Sequence, residues 1–194
     1  MEYLQMFVSG IVEHWPIWFV SVVLVVAAVI DGIQLKVPNW LTFPFIISGW
    51  VYSAVAYGLA GEAWHIGLAW SLAGTVVGLA LLLPLYSIGG MGAGDVKLLA
   101  GVGAWVYCST TLYSFCFSAV VGALMAIAMV LYRKAWRKHS LQFQAIVNEI
   151  MTIKNPEVLA SIAAERKSSM LLLPYGIPIC IGTIIYFAWM GLLL

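Results

Sequence analysis

Apolar residues run in long stretches along this chain, separated by short polar breaks. A helix needs roughly 20 apolar residues to cross a bilayer. Runs of about that length predict six spans, at 15–33, 40–59, 64–86, 96–107, 110–132 and 170–193. The fourth is too short to cross unaided, so a tilted or partly inserted helix is expected there. Leu4, Phe7, Val8 and Ile11 share one helical face. They predict a helix over 3–13 that lies in the interface or extends the first span. No Lys or Arg precedes the first run, so the positive start of a cleavable signal peptide is missing. No solenoid-type repeat is present.

The one long polar connection covers 133–169. It opens on the basic run RKAWRKHS, which reads as a flank of the membrane helices, with anionic-lipid binding as an addition. Phe143, Ile146, Val147, Ile150 and Met151 then recur at helical spacing. Asn155, Pro156 and Glu157 suit the N-cap, the first position and the first turn of a second short helix over about 156–166. Both helices are expected to lie against the membrane or to cover one mouth of the bundle.

Composition closes off a soluble alternative. The chain is 63% hydrophobic and 9% charged, where a soluble domain carries about 25% charged residues. An all-α integral membrane protein follows, with about six transmembrane helices, a cytoplasmic amphipathic segment and one domain over 1–194. The net charge of +1 says little, but its distribution says more. With six alternating spans, all nine Lys and Arg residues fall on one side, and Glu2, Glu13 and Glu62 on the other. The positive-inside rule makes the basic side cytoplasmic, so both termini are expected outside. A count of five or seven would spoil that segregation. Cys108, Cys116 and Cys180 lie in apolar runs without a C-x-x-C pair and read as small core residues.

Two acids stand out against this background. Asp31 ends the run VSVVLVVAAVID. A carboxylate at a span centre costs about 2.5–3.5 kcal/mol on insertion scales, less near the interface. It could be a snorkelling or cap-like acid, yet a helix C-terminus favours cations. Asp95 opens the fourth span and suits an N-cap. It also follows Gly89, Gly90, Gly92 and Gly94, which permit positive φ and close backbone approach; a plain cap requires neither. The first span runs inward and the fourth outward, so both acids reach the same cytoplasmic depth. Two carboxyls brought together share a proton. One can then act as base on a water while the other polarises a carbonyl. Depth matching permits such a pair without proving it.

The residues around these acids resemble a known family. GAGD at 92–95 fits the G-x-G-D signature of intramembrane aspartyl proteases. GAGDVKLLAGVGAW at 92–105, DGIQLKVPNWLT at 31–42 and LPYGIPI at 173–179 together resemble the type IV prepilin peptidases. The resemblance implies a peptidase that removes the short basic leader of prepilins or pseudopilins. The cut falls at the cytoplasmic face, typically after a Gly that precedes the pilin's hydrophobic segment, and the catalytic pair is Asp31 and Asp95. Large bacterial members carry a cytoplasmic domain with paired C-x-x-C zinc ligands, linked to N-methylation. That pattern is missing here, so the expectation is a peptidase without methyltransferase activity, metal or other cofactor, similar to Tad/Flp prepilin peptidases and archaeal preflagellin peptidases.

Supporting residues carry two readings each. Lys36 and Lys97 are positive-inside anchors, or they tune the acids and hold the loops. Pro38 and Asn39 are a turn that starts the second span, or they fix the loop beside Asp31. Pro174, Gly176 and Pro178 open the sixth span, where a local break would let a substrate strand approach. His14, His65 and His139 read as outside the catalysis. The expected partners are a prepilin or pseudopilin substrate, membrane lipid and a pilus or secretion assembly, with no nucleic acid. The expected location is the prokaryotic inner membrane, with the site toward the cytoplasm. The rival readings are a G-x-G-D protease for other membrane substrates, a proton-coupled transporter and an inactive assembly scaffold.

Overall fold

The structure, a computed structural model, describes residues 14–87, 90–132 and 174–193. The expected helices over 3–13, 143–151 and 156–166 lie outside the described residues, as do the basic run from 133 and Gly89. Every element among the described residues is a helix: α1 Trp15–Gln34, α2 Asn39–Leu59, α3 Trp64–Ser87, α4 Ala93–Tyr132 and α5 Gly176–Trp189. Four of these, α1 to α4, are long and apolar enough to cross a membrane; α5 has 14 residues.

Helix α4 holds the fourth and fifth runs of the sequence as two helical limbs. The limbs meet at Tyr107, whose φ of 61° and ψ of −173° are not helical. The contacts on either side of Tyr107 show that the chain turns back there. Before the break, Gly94 lies on Val37, just past α1, and Trp105 meets Trp15 at the start of α1, with ring centroids 5.9 Å apart. The first limb therefore runs antiparallel to α1. After the break, Tyr113 stacks on Tyr186 late in α5, whereas Gly122 faces Pro178 at its start. The second limb is antiparallel to α5, which itself begins beside Asp31 at the end of α1. The reversal falls between the fourth and fifth predicted spans.

The first limb of α4 is short but takes a central place among the helices. It is the centre of the bundle: Leu98, Leu99, Ala100, Val102 and Ala104 have no exposed surface. Protein rather than lipid surrounds it, so its short apolar run need not match the bilayer. Glycines allow the close approach. A Cβ on Gly103 would collide with the backbone of Gly74 in α3, and one on Gly49 of α2 would sit 2.7 Å from the Cβ of Ala104. Small residues of this kind are what packs helices where no hydrophobic effect drives them together. The break at Tyr107 interrupts the i→i−4 ladder and frees carbonyls in the preceding turn. Ser71 Oγ donates to the Ala104 carbonyl at 2.5 Å and Ser53 Oγ at 3.5 Å, which satisfies it inside an apolar medium.

Candidate active site

Asp31 lies in the last turn of α1 and is 1% exposed. Its backbone carbonyl accepts the Leu35 N–H at 2.8 Å, and Leu35 closes the helix in the left-handed region at φ 54°. Its side chain is held by another helix: the Gly176 N–H donates to Asp31 Oδ2 at 2.7 Å. Helix α5 has no side-chain cap of its own, and Asp31 supplies that acceptor from α1. The unfavourable position at the end of α1 is thus a favourable one at the positive end of α5. Gly176 has to be glycine for this contact, since a Cβ there would lie 2.9 Å from both Cβ and Oδ2 of Asp31.

Asp95 is 5% exposed. It is not the N-cap that its position suggested. Helix α4 begins at Ala93, so Asp95 is the third helical residue, and its Oδ2 accepts the Gly92 N–H at 3.1 Å. That is the acidic half of a capping box, reaching back to the residue before the helix. Gly94 is the position of closest approach in this loop, because a Cβ there would run into the Val37 carbonyl. The loop that follows Asp31 is thereby pressed onto the turn that carries Asp95.

Two further contacts fix the same loop. Lys97 Nζ donates to Asn39 Oδ1 at 2.9 Å and sits 4.5 Å from the centroid of the Phe43 ring. These contacts tie the start of α2 to the start of α4, so Lys97 and Asn39 act as a clamp. Pro38 is the N-cap of α2, and its carbonyl accepts the Leu41 and Thr42 N–H groups. Lys36 is exposed and makes no hydrogen bond or ion pair with a described residue. Pro174 precedes α5 and accepts the Ile177 N–H at 3.2 Å; Pro178 is buried in its first turn, where a missing N–H costs little.

One residue at the site went unremarked in the sequence. Tyr175 stands at the site, directly before Gly176, whose amide holds Asp31. The aromatic directly before Gly176 was the available signal. Among the described residues, no three His, Cys, Asp or Glu side chains converge on a point that could hold a metal. The arrangement therefore offers two buried carboxyls, each oriented by one backbone N–H, at one end of the bundle.

Residues 18–127 match the type IV leader peptidase family. The chain belongs to that family. The matched stretch contains both Asp31 and Asp95 and ends before α5. Over 128 residues the chain is 30% identical to the prepilin leader peptidase/N-methyltransferase of Aeromonas hydrophila, covering 62% of this chain and 42% of that protein. It is likewise 30% identical over 128 residues to the protein of the same name in Bacillus subtilis (strain 168), covering 64% of this chain and 48% of the relative. The match thus spans less than half the length of these relatives. No solved structure gives a significant match.

Proposed function

We propose that this protein is a membrane aspartyl endopeptidase that removes the leader of type IV prepilins or prepilin-like proteins at the cytoplasmic membrane face. The observation that carries the reading is the burial of Asp31 and Asp95 at the same end of the bundle, each oriented by a backbone amide. Family membership and the relatives' names support the substrate class. In this mechanism one carboxylate takes a proton from water as it attacks the scissile carbonyl. The other, protonated, polarises that carbonyl and then delivers its proton to the leaving amine. Burial favours sharing one proton between the two, because ionising both in a dry site is costly. Six crossings, counting the two limbs of α4 and α5, would place all nine basic residues on the cytoplasmic side with the acids.

Leader removal from a prepilin of the same organism, followed with purified protein in detergent or lipid, tests the reading. Asp31→Asn and Asp95→Asn should each lower the rate by roughly 10³-fold or more. Both should stay folded, since the Asn side-chain oxygen can still accept the Gly176 or Gly92 N–H. Cleavage that survives in either variant removes that aspartate from the mechanism.

A further inference from the structure

A cavity of about 320 Å³ lies between the end of α3, both limbs of α4 and the start of α5. Leu82, Leu99, Phe115, Gly122, Ala123 and Pro178 are among its walls, as is Tyr175, which directly precedes Gly176. We infer that this cavity receives the apolar side chains of the substrate that directly follow the scissile bond. The inference rests on the peptidase reading above.

Position is the first argument. Tyr175 belongs both to the cavity wall and to the site, since its neighbour Gly176 holds Asp31. A chain cut at the acids therefore passes Tyr175 within a residue or two of the broken bond. Chemistry is the second. The walls are apolar, and the Ser118 hydroxyl is already committed to the Ser114 carbonyl at 2.7 Å and the Ile179 carbonyl at 3.4 Å. A basic leader finds no partner here, whereas an apolar side chain loses nothing by entering. Shape is the third. Ala119 and Ala123, like Gly122 and Ala126, stand four residues apart on one face of α4, so they share that face. Their small side chains leave the space unfilled where interiors are otherwise close-packed. Ala119, Ala123 and Ala126 are exposed, so the cavity opens sideways along the helix face. A segment embedded in the membrane can enter it without first leaving lipid.

The test is a two-by-two comparison of KM and kcat with the full-length protein in lipid. The enzymes are wild type and Ala123→Phe, which fills the cavity, with Val120→Phe on the neighbouring exposed face as control. The substrates are an unmodified prepilin and the same prepilin with its first large apolar residues after the cut trimmed to Ala. Filling the cavity should raise KM on the unmodified prepilin by about tenfold or more with kcat little changed, while Val120→Phe stays near wild type. Trimming should raise KM for wild type similarly, and the two changes together should cost much less than their product. Independent, multiplying effects would overturn the inference and leave the cavity to lipid chains, with the peptidase reading intact. Failure of wild type to cut the unmodified prepilin would sink that reading and this inference with it. Should Ala123→Phe not fold, disulfide formation from Ala123→Cys in an Asp95→Asn background decides the matter. Linkage to a cysteine placed just after the substrate's cut supports the assignment. Linkage only to cysteines on the leader side overturns it.

Discussion

Asp31 ends α1 at the negative pole of its own helix, and taken alone that placement is unfavourable. The Gly176 amide at the positive pole of α5 reverses the balance. The contact leaves no room for a methyl group, so Gly176→Ala must displace either the carboxyl or the first turn of α5. Displacements of about 1 Å at a reacting group cost on the order of 100-fold. We expect kcat on a prepilin to fall by about that factor in Gly176→Ala with KM near wild type; an unchanged kcat would show that this glycine does not set the acid's position. The sequence exposed both acids because a carboxylate in an apolar run is conspicuous. It could not expose the amide that holds Asp31, since that partner lies 145 residues further on and backbone amides carry no signature of their own. Tyr175 escaped for a related reason: an aromatic near a span end reads first as an interface anchor. The role of Lys97 was legible only as a charge, and its bond to Asn39 required the fold.

At the scale of elements, the helices were readable wherever lipid dictates their length. The ends of α1, α2 and α3 follow the apolar runs closely. The first limb of α4 was placed within a few residues, but its surroundings were not readable, because length no longer reports depth where the neighbours are helices. Its glycines are what the crossing with α3 requires, and they predict an asymmetry. Gly103→Ala places a methyl against the Gly74 backbone and should cost about 1–3 kcal/mol. Gly58→Ala, whose new methyl would meet only Trp64 Cβ at 3.9 Å, should be near neutral. Thermal unfolding of both variants in the same detergent compares them; equal midpoints would show that the α3–α4 crossing relaxes easily. The turn at Tyr107 was foreseen as a gap between two runs. The serines of α2 and α3 that serve the carbonyl beside it were not, since a serine inside an apolar helix commonly bonds its own preceding turn. Ser21 does so, donating to the Ile17 carbonyl at 2.8 Å.

The whole molecule places the end of α1, the start of α2, the start of α4 and the start of α5 at one face, with both acids there. Which side of the membrane that face occupies can be measured in cells. In a background lacking Cys108, Cys116 and Cys180, Lys36→Cys should react with an impermeant thiol reagent only after the membrane is opened. Glu62→Cys should react in intact cells. The opposite pattern would put the acids on the external side and exclude a cytoplasmic cut. The docking of α5 against the end of α1 also bears on the order of synthesis. Asp31 and Asp95 leave the ribosome early, and the family match is complete by residue 127. The amide that orients Asp31 follows only at residue 176. Between the synthesis of Asp95 and that of Gly176 a nascent chain therefore carries both acids without the amide that orients Asp31, and a chain stopped before α5 stays in that state. Under the proposed function, completion of the site follows the docking of α5, so a chain still short of that helix is expected to be a poor peptidase toward its neighbours in the membrane.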